Sequence, residues 1–175
     1  MEEDLLRIKP FQDVIVRTAK KFDLPIGLIF AICKVESNFT PTAMRWEPGF
    51  YHKYIKPKKD EIPFEEAIGN AVSFGLMQIM GSTARWMGYE RDLTGLWQPI
   101  INLNYGCKYL NKLRKRYEKI EDAIAAYNAG SVRKTEEGAY INQPYVDKVL
   151  EYWKKYTEII NGGSNENLGE KEEKE

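Results

Sequence analysis

Glu36 stands at the end of an almost wholly apolar run from Ile26 to Val35, in which Leu28, Ile29, Phe30, Ala31, Ile32 and Cys33 follow one another. A run apolar on every side predicts a helix in the centre of a domain. That helix delivers one carboxyl group to its C-terminal end, where the dipole disfavours a negative charge. Partial burial pushes the same way, towards the protonated form. A carboxyl held protonated near neutral pH is suited to general acid chemistry. The local residues leave a second reading open, a solvated Glu at a helix end paired with Lys34.

A second stretch carries the other chemistry: Ser73-Phe74-Gly75-Leu76-Met77-Gln78-Ile79-Met80-Gly81-Ser82-Thr83-Ala84. Gly75 breaks the apolar pattern, and Gln78 is the only strongly polar side chain from Leu76 to Met80. A polar group in such a run must find a partner. Either Gln78 ties down the turn or it faces a ligand. Farther on, the Ala-rich segment from Ile120 ends in Tyr127-Asn128-Ala129-Gly130. Gly130 reads as a helix C-terminal signal. Tyr127 then brings a phenol either to a site or to a core with its hydroxyl at the surface.

The elements that must position these groups are helical. Pro10 to Phe22 is amphipathic, with Phe11, Val14, Ile15 and Thr18-Ala19 at helical spacing. Asp23 is the expected N-cap of the apolar helix, and Pro25 an early-turn residue. Met44 to Val72 is irregular, with room for a short hairpin and a short helix over Pro63 to Ala71. Its aromatics, Trp46, Phe50, Tyr51 and Tyr54, read equally as a wall on which sugar rings stack or as a satellite core under a long loop. Ser82 or Thr83 starts a helix stopped by Gly88, and Asp92 to Gln98 reads as a loop. Pro99 opens a long helix to about Tyr117, in which Gly106 marks a close helix crossing. Pro144 opens the last helix. Strand-like alternation is nearly absent, so the fold class is all-α with at most a minor β-hairpin. Residues 1–9 read as a lead-in, 10–160 as one domain with an insertion at about 44–72, and 161–175 as a disordered polar tail.

At 175 residues, the chain is long enough for one domain with a real core. With 26 basic and 26 acidic residues, it lacks the basic excess that grips nucleic acid or an anionic membrane. No run approaches the ~20 apolar residues of a membrane span, and the acidic start Met1-Glu2-Glu3-Asp4 carries no secretory signal. With one histidine, His52, and no Cys pair at ligand spacing, neither a metal centre nor a cofactor is expected. Cys33 and Cys107 read as two buried small hydrophobes; whether they pair is left open.

Together these stretches resemble the soluble lytic transglycosylase family, glycoside hydrolase family 23, over roughly Phe22 to Tyr156. The Glu-Ser-x-Phe-x-Pro-x-Ala motif stands as Glu36 to Ala43, and Gly-Leu-Met-Gln-Ile-Met as Gly75 to Met80. The Pro-x-x-Asn helix stands as Pro99, Asn102, Leu103, Gly106, Tyr109 and Leu110. Ala-Tyr-Asn-Ala-Gly is Ala126 to Gly130, and the closing Tyr-Val-x-x-Val is Tyr145, Val146 and Val149. Five motifs in the family's order make a chance match very improbable.

The resemblance implies a goose-type-lysozyme-like fold and a peptidoglycan lytic transglycosylase. Glu36 is then the single catalytic acid/base acting between N-acetylmuramic acid and N-acetylglucosamine, giving a 1,6-anhydro product. Met77, Gln78, Tyr127, Asn128 and Ser73 are the implied substrate-binding residues, and Ser37 supports the loop after the acid. A monomer acting on cell-wall glycan strands is expected, periplasmic, extracellular or phage-associated. Two features depart from the family pattern. Gly81 stands where a Pro is usual, and the spacing from Glu36 to Gly75 is long. The extra segment carries Glu47, Asp60, Glu61, Glu65 and Glu66, any of which could serve as a base for water. That would make a hydrolysing muramidase. A glycan-binding module without catalysis is the third alternative.

Overall fold

A computed structural model describes residues 6–162, except for the side chains of Lys59 and Asp60. Helix α1, Gln12–Lys21, turns Ile15, Thr18 and Ala19 inward. Helix α2, Ile26–Ser37, is buried without a break from Gly27 to Cys33. Its long neighbour is α7, Gln143–Gly162, the most extensive helix pairing among the described residues. The two approach so closely that a Cβ on Gly27 would lie 2.6 Å from the Thr157 hydroxyl.

Asp23 does not cap α2 as expected. It adopts a left-handed turn, φ 51°, and its carboxylate accepts a 2.7 Å bond from Arg114. Pro25, with φ fixed at −59°, starts the helix, and its carbonyl accepts from Leu28 and Ile29. At the other end Asn38 and Phe39 both adopt positive φ, which stops α2 directly after Ser37. Burial of the Phe39 ring against Phe30 and Tyr156 offsets that backbone cost.

The irregular segment is closed at its base by a sheet. Strand β1, Met44–Trp46, pairs antiparallel with β2, Val72–Phe74, with Arg45 opposite Ser73. Strand β3, Ile79–Met80, pairs on the other edge of β2, with Ser73 opposite Met80. Between β1 and β2 the chain makes helical turns at Pro48–Phe50, Tyr51–Ile55 and Lys56–Glu61, then helix α3, Phe64–Asn70. Helix α4, Gly81–Trp86, begins one residue earlier than the sequence implied. A Cβ at Gly81 would collide with the Gly69 carbonyl of α3, so the inserted helix packs directly on the residue that replaces proline.

Leu93–Trp97 is a 3-10 helix capped by the Asp92 side chain, not a plain loop. Helix α5, Pro99–Arg116, and α6, Ile120–Ala129, follow, and α6 ends at left-handed Gly130. Gly106 does mark a close approach, but to a side chain and not to a helix: a Cβ there would lie 2.5 Å from Met77 Sδ. Ile8, expected in a lead-in, is buried in the core. Helix α7 includes Asn161 and Gly162, so the tail boundary lies later than expected. The rest of that tail, like residues 1–5, lies outside the described residues. The result is a mainly helical domain with a small three-stranded sheet beside the end of α2.

Candidate active site

Glu36 occupies the last turn of α2 and opens into a cleft of about 260 Å³. Three parts of the chain meet there. The β1 side brings Arg45, Glu47 and Phe50, the turn before β3 brings Gln78, and the end of α6 brings Tyr127 and Asn128. Burial of the large side chains Leu28, Ile29, Phe30 and Ile32 holds α2 in place. Each contributes about 1.5–3 kcal/mol. That sum comfortably exceeds the cost of desolvating one carboxyl at the helix end.

Desolvation raises the Glu36 pKa to about 7. Two groups oppose this, the hydrogen bond from Tyr145 and the positive charge of Arg45, while the Glu47 charge adds to it. The Tyr145 hydroxyl donates to Glu36 Oε1 at 2.7 Å. Burial, then the neighbouring Glu36, pushes the Tyr145 phenol well up, so it stays a neutral donor. A carboxyl that is half protonated near neutrality and fixed by one donor can give a proton and take one back.

Gln78 does both things open to it in the sequence. Its side-chain nitrogen donates to the carbonyls of Ala43 and Gly75, at 3.1 and 3.0 Å, while the residue still lines the cleft. It holds this turn at φ 47°. Ser37 supports the same loop by donating to the Leu76 carbonyl at 2.8 Å. Asn128 accepts from Asn142 at 3.0 Å, which ties the end of α6 to the start of α7.

Two residues depart from the implied roles. The Met77 side chain does not line the cleft: it is fully buried, with Sδ 3.8 Å from Cys107 Sγ and against Gly106. Met77 serves the site through its backbone, the carbonyl accepting from the Tyr127 hydroxyl at 2.9 Å. Tyr127 therefore lines the cleft but spends its hydroxyl on the loop. The phenol bonded to Glu36 is Tyr145, which the sequence marked as the first residue of the closing Tyr-Val-x-x-Val motif but gave no role at the acid.

Ser73 points its hydroxyl at Glu47 Oε1, 3.0 Å away, and Arg45 Nε donates to the same oxygen at 2.6 Å. Arg45 and Glu47 lie two residues apart, so an extended chain sends both to one face. That alternation was the available signal for Arg45, hidden in a strand of three residues; Glu47 stood among the acids named as a base for water. Glu66 is committed elsewhere, bonded twice by Arg85. Glu61 and Glu65 are exposed and do not line the cleft. Asn102, fully buried on α5, was also missed as a site support. It bonds Met77 N, the Phe74 carbonyl and the Leu96 carbonyl, and so fixes the turn that carries Gln78.

Cys33 and Cys107 are buried and free. Among the described residues no group of three or more His, Cys, Asp or Glu is placed to hold a metal ion, and no helix is long and apolar enough to cross a membrane.

The chain is 28% identical over 141 residues to membrane-bound lytic murein transglycosylase C of Haemophilus ducreyi, covering 72% of this chain and 32% of that protein. It is 24% identical over 118 residues to protein IpgF of Shigella flexneri, covering 66% and 64%. The chain thus spans about a third of one relative and just under two thirds of the other. A crystal structure of an inactive mutant of the lytic transglycosylase Slt from Pseudomonas aeruginosa superposes with a TM-score of 0.60 at 24% identity, over 85% of this chain and 24% of that one. That likeness establishes the shared lysozyme-like fold. The family described as "Transglycosylase SLT domain" matches residues 13–146, and the chain belongs to that family.

Proposed function

We propose that this protein is a peptidoglycan lytic transglycosylase with Glu36 as its single general acid/base. The observation that carries the reading is the Glu36 carboxyl, raised to about 7 and held by Tyr145 in an open cleft. Protonated Glu36 gives its proton to the oxygen bridging N-acetylmuramic acid and N-acetylglucosamine, and that C–O bond breaks. The resulting carboxylate takes the proton of the muramyl 6-hydroxyl as its oxygen bonds to the anomeric carbon. The product is a 1,6-anhydro sugar, no water is consumed, and Glu36 ends protonated. Such a route needs one carboxyl, whereas an inverting hydrolase needs a second about 6.5–9.5 Å away to activate water.

The family and the relatives' names support this assignment. The protein acts as a monomer on the glycan strands of the cell wall, in the periplasm, outside the cell or as part of a phage particle. Replacing Glu36 by Gln tests the acid: release of soluble muropeptides from purified peptidoglycan stops while the circular dichroism spectrum is retained. Near-parental release would remove Glu36 from the chemistry.

One observation favours a second reading. Glu47 lines the same cleft and its charge acts on Glu36. As a base for water it would make the enzyme a hydrolysing muramidase. Against this, Glu47 Oε1 already accepts from both Arg45 and Ser73, so that oxygen is engaged with protein donors and not open to a water. The transglycosylase reading is therefore preferred.

A further inference from the structure

The helical turns between β1 and α3 supply Phe50 to the cleft and then lead away from it. One turn on, Tyr54 packs against Phe50, with ring centroids 4.9 Å apart and planes tilted by 46°. Tyr54 is nevertheless 51% exposed. The Lys53 ammonium lies over its ring, 5.0 Å from the centroid, and His52, Lys56 and Lys58 in the same segment are exposed. The Trp46–Tyr51 pair, centroids 5.1 Å apart, packs beside these turns. By strand alternation Trp46 points away from the Arg45 and Glu47 face, so it props the segment from behind.

The cleft is small for a polymer site. Its volume of about 260 Å³ falls below the usual range for a small-molecule pocket, about 300–1,000 Å³. A glycan strand reacting at Glu36 must continue onto the surface outside. Phe50 makes the surface around Tyr54 continuous with the cleft. An aromatic face suits the apolar face of a sugar ring, and a neighbouring ammonium suits a carboxylate. A muramyl unit offers both, since it carries a free lactyl carboxylate or, where that group is amide-linked to a peptide stem, the carboxylates of the stem.

We propose that Tyr54 and Lys53 form an outer subsite for a muramyl unit of the strand leaving the cleft, with Tyr54 under the sugar ring and Lys53 on its acidic substituent. The subsite belongs to the inserted segment and favours long strands over short ones. It rests on the glycan-cleaving reading of the cleft, and binding measured without turnover separates the two.

In the Glu36→Gln background, binding of size-fractionated glycan strands is measured for long and short fractions. Tyr54→Ala lowers the long-to-short affinity ratio by about five- to tenfold, and Tyr54→Phe keeps it. Lys53→Gln removes the preference for strands with free carboxylates over amidated ones and flattens the salt dependence. Phe64→Ala, which alters an exposed ring on α3, leaves the ratio at its parental value. An unchanged ratio in Tyr54→Ala and an unchanged carboxylate preference in Lys53→Gln would overturn the subsite, whether or not the parent enzyme cleaves. Loss of self-association in Tyr54→Ala, with strand binding intact, would assign the surface to a second copy of the chain and also overturn it. Failure of the parent to release product, with the long-strand preference present and lost in Tyr54→Ala, would sink the catalytic reading and keep the subsite.

Discussion

Tyr145 donates its hydroxyl hydrogen to Glu36 at 2.7 Å, joining the start of α7 to the end of α2 across 109 residues of chain. The bond favours the carboxylate and so acts against the burial that raises the Glu36 pKa. Removing it pushes the pKa higher still. In Tyr145→Phe the alkaline limb of the pH–rate profile moves to higher pH. The optimum rate falls by about 10–100-fold, because the carboxyl loses its fixed orientation. A mutant with a slower rate but an unmoved limb would reduce Tyr145 to a packing residue.

Tyr127→Phe behaves differently. It deletes the bond to the Met77 carbonyl and costs about 1 kcal/mol of stability. Its pH–rate limb stays where the parent's is. Thermal melts and rate profiles of the two Phe variants, run side by side, separate the roles of the two tyrosines.

Glu36 also links stability to pH. Its folded pKa of about 7 lies above the ordinary 4.5, so the folded state binds the proton more tightly than the unfolded state. Stability is full below about pH 4.5 and declines as pH rises through about 7, by roughly 3 kcal/mol. Glu36→Gln carries no charge and escapes this decline. Its melting temperature relative to the parent therefore rises between pH 5 and pH 8, as measured by calorimetry across about that range. Parallel curves would mean that Glu36 is not desolvated.

The end of α2 was legible because one carboxyl follows a run with no polar face, and few structures satisfy that pattern. The turn at Gly75 and the helix end at Gly130 were legible because glycine marks left-handed backbone. Tyr145 was not, because nothing in an amphipathic pattern distinguishes a phenol facing a carboxyl from one facing a core. Met77 misled for the opposite reason. It sits in a motif shared with the family, yet its side chain fills the space left by Gly106 and only its backbone serves the site. The pairing of β1 with β2 was left as an open hairpin, since strands of three residues give too few alternations to read.

Asn102 supports the site from α5 with three hydrogen bonds to the turn and its neighbours. Asn102→Ala leaves a buried amide hydrogen and two carbonyls without partners, at about 3–5 kcal/mol in total. A urea midpoint lowered to match, with activity lost at temperatures where the variant is still folded, is the expected result. A stable, active Asn102→Ala would mean that the turn holds its own shape.

Glu47→Gln removes a negative charge near Glu36 and releases Arg45 from its partner. Both changes favour the Glu36 carboxylate. The alkaline limb accordingly moves to lower pH, opposite to the shift in Tyr145→Phe, while the product keeps its chemical identity. Loss of all turnover in Glu47→Gln, with the fold intact, would instead point to Glu47 as a base.

The most direct test is the mass of the muropeptides that this protein releases from purified peptidoglycan. A single carboxyl acting on the muramyl 6-hydroxyl predicts products ending in 1,6-anhydro-muramic acid. Products ending in reducing muramic acid, heavier by one water, would contradict that mechanism and make Glu47 the leading candidate for the second carboxylate.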